Sequence, residues 1–99
     1  MGQDELLKTM KENIQEGQWH WIAPHHERGA VIVVSQDLDL AEVGVKVSVD
    51  SVPEVSEWVK KGDLARPTEK QLEEWNETPG RHFRFLIVQP YVLIQVLGH

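Results

Sequence analysis

Phe83-Arg84-Phe85-Leu86-Ile87-Val88-Gln89-Pro90-Tyr91-Val92-Leu93-Ile94-Gln95-Val96-Leu97 is the most apolar segment of the chain, and every amphipathic piece before it must answer to it. Both parities are apolar from Phe85 to Val88 and again from Tyr91 to Leu97. A strand with that pattern needs cover on both faces, from helices or from a second subunit. Pro90 lacks a backbone N–H, so it belongs at an edge, at a bulge or at a bend between two shorter strands. A long apolar edge strand invites pairing with other chains, which leads to the expectation of a homodimer that seals it.

Working outward, Ala30-Val31-Ile32-Val33-Val34 is a β-branched run of strand length and is expected beside the terminal stretch. Val43-Gly44-Val45-Lys46-Val47-Ser48-Val49-Asp50 alternates strictly, which predicts a half-buried strand in a hairpin with it. A helix starting at Asp39 and burying Leu40, Val43 and Val47 is the competing reading, against which the four valines at period two weigh.

The amphipathic pieces supply the helices. Leu6, Leu7, Met10 and Ile14 recur at helical spacing within Asp4 to Glu16, with Gly17 placed as a C-terminal cap. In Gln18 to Arg28, Pro24 suits a first turn, so a short helical turn from Ile22 to Arg28 closed by Gly29 is expected. Ser51 with Glu54 and Thr68 with Gln71 have capping-box spacing. They open helices carrying Val55, Trp58 and Val59, then Leu72 and Trp75, the second stopping by Thr78-Pro79-Gly80. Leu64 to Pro67 reads as an extended connector. The sum is one α+β domain over residues 1–99, a small sheet of about three strands packed by about three or four helices.

Composition excludes several classes of function. Ten basic against sixteen acidic residues give a net charge of −6 without a local basic patch, which argues against nucleic acid. The absence of cysteine removes disulfides, thiolate metal sites and thiol catalysis. No apolar run approaches the roughly twenty residues of a membrane helix, and Met1 to Glu5 has no signal-peptide pattern, so a cytoplasmic location is expected.

The sharpest polar cluster is His20, His25, His26, Glu27 and Arg28, followed by Asp37, Asp39 and Glu42. Adjacent His25 and His26 diverge by about 100° on a helix, so they do not make a metal pair. Asp37, Asp39 and Glu42 lack the glycine and the bidentate glutamate of a calcium loop. The plain account is that Asp39 caps a turn or helix while Asp39 or Glu42 pairs with Arg28; such a pair beside a histidine could equally bind an anion or position a base. Trp58 and Trp75 are expected in the core, and one of Trp19 and Trp21 is placed with His25 in a pocket. No serine lies in a nucleophile elbow, and no phosphate-cradling loop is present.

From Pro24 onward the residues fall into recognisable motifs. They are Pro24-His25 with Arg28-Gly29, Leu38-Asp39-Leu40 with Glu42-Val43, Asp50, and Trp58 with Gly62 and Leu64. Arg66-Pro67-Thr68, Trp75 and Ile87-Val88-Gln89-Pro90-Tyr91-Val92-Leu93 with Gln95 complete them. In these the chain resembles a family of small bacterial proteins catalogued only as a domain of unknown function. The resemblance implies no activity, substrate or cofactor. It directs attention to the polar members His25, Arg28, Asp39, Glu42, Asp50, Gln89 and Gln95.

The expectation is a non-catalytic interaction or regulatory module that self-associates or binds a protein partner, without nucleic acid, membrane, metal or cofactor. The alternative is a small-molecule or metal-binding protein, enzymatic or not, with a ligand site at His25, Arg28, Asp39, Glu42 and Gln89. Convergence decides between them: a site requires these side chains to meet in one concave pocket.

Overall fold

In the computed structural model, which describes residues 2–78 and 80–96, helices cover both faces of a mixed sheet. The chain runs α1 (Gly2–Asn13), β1 (Gln15–Gln18), α2 (Trp19–Glu27), β2 (Val31–Val34) and α3 (Leu40–Ser48). It continues through α4 (Val52–Lys61), β3 (Leu64–Ala65), α5 (Glu69–Glu77), β4 (His82–Val88) and β5 (Tyr91–Val96). The class is α+β, but among the described residues the sheet has five strands where about three were expected, with five helices around it. Leu97 at the end of the expected strand and Pro79 at the helix stop lie outside the described residues.

The terminal apolar stretch is two strands. Gln89 and Pro90, joined by a cis peptide bond, form the bend, and β4 and β5 pair antiparallel from Val88↔Tyr91 to Phe83↔Val96. The strand order β1-β4-β5-β2-β3 puts β5 at the centre, antiparallel to β4 and parallel to β2. The edge that a second subunit was expected to seal is therefore filled by β1 and β2 of the same chain. The true edges are the polar Gln15-Glu16-Gly17-Gln18 and a two-residue β3 that runs on to Pro67, both poor templates for pairing.

Parity explains the cover. Leu86, Val88 and Leu93 point to one face with Val34 and Leu64, against Met10 of α1 and Leu40 and Val43 of α3. Phe83, Val92, Ile94 and Val31 point to the other, against Trp19 and Ile22 of α2 and Trp75 of α5. Trp75 meets Phe83 edge-on at 5.0 Å and lies tilted against Trp19 at 4.9 Å, and Trp19 Nε1 donates to Asn76 Oδ1 at 2.9 Å. Such aromatic pairs add about 0.5–1.5 kcal/mol beyond area burial.

The predicted strand over Val43–Val49 is instead helix α3, so its hairpin with β2 does not form; β2 pairs with β5 and β3. Helical winding buries Leu40, Ala41, Val43 and Val45 together, while Val49, the last of the period-two valines, is left exposed. Gly44 brings α3 close to the sheet, since a Cβ there would lie 2.5 Å from Leu86 Cδ2. Tertiary packing has overridden a modest strand propensity.

Two local expectations also change. Gly17 is not a cap but a β1 residue opposite Phe83, where a Cβ would sit 2.9 Å from the Phe85 ring. Helix α2 starts at Trp19 rather than Ile22, with Pro24 in its interior; Pro24 is not buried, so the lost hydrogen bond falls on the wetter side. Gly29, at φ 72°, does close the helix. The capping box at Thr68 and Gln71 forms as expected, whereas Ser51 makes no side-chain cap to α4.

Candidate functional site

Three of the five candidate residues come together, and two do not. Arg28 caps the C-terminal end of α2, its N–H donating to the His25 carbonyl at 3.2 Å, with Ala30 N–H donating to the same oxygen at 3.0 Å. This tight exit folds the Arg28 side chain back so that its Nη2 hydrogen-bonds His25 Nδ1. A guanidinium can only donate, so Nδ1 is the acceptor in this contact. Val92 N–H donates to Ala30 O at 2.9 Å, which ties this exit to the β4–β5 turn carrying Gln89.

His25, Arg28 and Gln89 thus line one cleft of about 290 Å³ with Ala30, Ile87, Pro90, Tyr91 and Val92. The cleft offers guanidinium, imidazole and carboxamide donors among apolar walls. That set suits an acceptor-rich group such as a carboxylate, because charge-assisted hydrogen bonds are stronger than neutral ones.

Asp39 and Glu42 lie elsewhere. Asp39 is the N-cap of α3, its Oδ1 accepting from Ala41 N at 2.9 Å and Glu42 N at 3.3 Å. Glu42 is exposed in the first turn. The expected pairing of Arg28 with either carboxylate is absent; among the described residues the ion pair is Lys46 Nζ with Glu54 Oε2, at 3.1 Å. The reason is topological, since α2 and α3 pack on opposite faces of the sheet. Asp39→Ala should accordingly cost about 1 kcal/mol of stability as a lost cap, read from urea denaturation.

The remaining aromatic and histidine residues also separate. His20 meets the exposed Trp21 edge-on at 5.8 Å, and His26 lies 6.4 Å from Trp19. Trp19 is core and Trp21 lies in a shallow depression with Glu16 and His82, so neither joins His25. Among the described residues, no three His, Asp or Glu side chains gather as a metal site would require.

Gln95 is buried and structural, its Nε2 donating to Ser35 O at 2.9 Å and Leu38 O at 2.8 Å. Asp50 borders a second, larger groove of about 440 Å³, which Arg66 and Tyr91 also line. Neither Arg66 nor Tyr91 stood among the candidate residues. Arg66 Nη1 donates to Gly29 O at 2.9 Å, and Tyr91 lines both cavities, so cleft and groove share one end of the sheet. The signal that could have found them is their place in the Arg66-Pro67-Thr68 and Gln89-Pro90-Tyr91 motifs.

Fold and cleft define a small α+β domain with helices on both faces of a five-stranded mixed sheet and a polar-rimmed cleft at one sheet end. The chain belongs to the family described as Protein of unknown function (DUF2288), which matches residues 5–96. It is similar to the NMR solution structure of PA1075 from Pseudomonas aeruginosa, with a TM-score of 0.80 and 25% identity over 96% of this chain and 87% of that one. No curated protein matches the chain. Among the described residues no helix is long and apolar enough to cross a membrane.

Proposed function

We propose that the protein is a non-catalytic interaction module that recognises an acidic group of a protein partner at the His25–Arg28–Gln89 cleft. His25, Arg28 and Gln89 line one cleft from two distant parts of the chain, with His25 and Arg28 in direct contact, and the observation that favours a protein partner over a small ligand is that Arg28, Gln89, Ile87 and Tyr91 are all exposed there. Exposed Ile87 and Tyr91 in the lining give the cleft the mixture of apolar surface and charged anchor typical of interaction hot spots. A chain with sixteen acidic residues can itself supply the acidic group, so self-association belongs to the same proposal. A cytoplasmic setting accords with the cysteine-free sequence.

The size of the cleft favours a second reading, a small carboxylate ligand, because about 290 Å³ lies at the lower end of ligand pockets. One experiment separates the two. Acidic and charge-neutral peptides of matched length, and small free carboxylates, are titrated by fluorescence anisotropy and thermal shift against wild type and Arg28→Ala. The module reading expects acidic peptides to bind and to lose about ten-fold in affinity with Arg28→Ala, the equivalent of one charge-assisted hydrogen bond. Binding by small carboxylates alone selects the second reading; equal binding of acidic and neutral peptides, or indifference to Arg28, overturns both.

A further inference from the structure

Helix α4 packs on the core through half-buried Val55 and Trp58, whereas Val52 and Val59 of the same apolar side stay exposed. Val52 is 58% exposed and Val59 56% exposed, although helices of this amphipathicity ordinarily bury the apolar stripe. The space in front of them is the larger groove, about 440 Å³, with Ile32, Val47, Leu64 and Tyr91 on its other sides. Its volume falls within the range of about 300–1,000 Å³ of small-ligand sites. Of its lining residues only Asp50 and Arg66 are charged, with opposite signs, and they are not ion-paired to each other. Arg66 is held by the hydrogen bond from Nη1 to Gly29 O, which leaves Nη2 and Nε as further donors.

Asp50 reaches the groove from the end of α3. Ser51 N–H donates to Lys46 O at 2.9 Å and Asp50 N–H to Val47 O at 3.2 Å, the paired bonds that close a helix with a left-handed residue, here Asp50 at φ 57°. Glycine is the usual occupant, as Gly62 is for α4 at φ 82°. Asp50 is the non-glycine residue with positive φ among the described residues, and its carboxylate makes no hydrogen bond or ion pair there. Aspartate is among the few non-glycine residues that visit this region, and its exposed carboxylate borders the groove, as does exposed Arg66.

We infer that this groove binds a small zwitterion with an apolar body, of the hydrophobic amino-acid or dipeptide class, its carboxylate on Arg66, its ammonium on Asp50 and its side chain against the α4 valines. A purely anionic amphiphile would set Asp50 against its acid, and a cationic one would set Arg66 against its amine; only a ligand bearing both charges satisfies the pair. This groove shares Tyr91 with the proposed peptide cleft but not Arg28, so Arg28→Ala should leave its binding unchanged.

The test is an NMR chemical-shift titration of the full chain with L-leucine, L-phenylalanine and leucyl-leucine, beside N-acetyl-leucine, leucinamide and glycine. Saturable shifts confined to groove residues are expected for the first three, with at least ten-fold weaker binding for each capped analogue and for glycine. Asp50→Gly should lose ten-fold or more in affinity while the melting temperature does not fall. Val59→Glu, at an exposed position, should abolish binding with the fold intact by circular dichroism. Absence of saturable shifts, equal binding of either capped analogue, or retention of affinity in Asp50→Gly overturns the inference.

Discussion

Replacing Phe83 with alanine is expected to destabilise the domain by about 3–5 kcal/mol, a large part of the roughly 5–15 kcal/mol available to a domain of this kind. Phe83 has no solvent exposure and is the largest fully buried side chain. Its ring lies 5.0 Å from Trp75 and 5.8 Å from Trp19, and its backbone stands between Gly17 of β1 and Val96 of β5. The hole left by the ring cannot close easily. Trp19 is pinned through Nε1 to Asn76, and glycine at position 17 offers no side chain to move in. Thermal denaturation followed by near-ultraviolet circular dichroism should show a much lower melting point and a weakened tryptophan signal. A loss below about 1 kcal/mol would contradict the tight packing of this cluster.

Gln95→Leu is the second large effect, at about 2–3 kcal/mol, because it strips two acceptors at once. The carboxamide of Gln95, 4% exposed, donates to the carbonyls of Ser35 and Leu38, which flank the turn that carries the chain from β2 to α3. Leucine fills nearly the same space but leaves both oxygens without that donor. Gln95→Glu keeps the shape and should be at least as damaging, since an ionised carboxylate accepts only and would face two more acceptors. Urea denaturation checks the magnitude, and faster amide exchange over residues 35–40 checks the location. Glutamate tolerated as well as glutamine would remove the assigned role.

How far these features could be read from the chain depended on what each residue answers to. The two-sided apolarity of Phe85–Val88 and Tyr91–Leu97 demanded double cover, from helices or a second subunit, and Pro90 marked an edge, a bulge or a bend; of these the bend is what forms. The alternation from Val43 to Val49 was ambiguous because valine serves either period; the Asp39 cap is a local sign of the helix, and the nonlocal fact beside it is the close approach of Gly44 to Leu86. Strand β1 has no apolar side chain to announce it, and β3 is too short to leave a pattern.

The candidate site divides on the same principle. His25 and Arg28 are three apart at a helix end, so their contact is local, and Gln89 falls at a break the sequence displays. Asp39 and Glu42 are separated from Arg28 by the sheet, which no spacing in the sequence reveals. Asp50 and Arg66 flank α4 in the chain and meet one groove only because that helix turns back along β3.

The central position of β5 also bears on how the chain acquires its structure during synthesis. It is the last described element to be made, yet it lies between β4 and β2, and its parallel ladder opens with Val31 against Val92. Until Tyr91–Val96 is available, the two halves of the sheet have no strand to join them, and the helices on either face have only part of their floor. A nascent chain stopped before Tyr91 would present Val31, Phe83 and Leu86 without their partners, the kind of exposed apolar surface that holding chaperones bind. Pairing so distant in sequence is slow to form, so folding of this domain should wait for β5 and then proceed as one event.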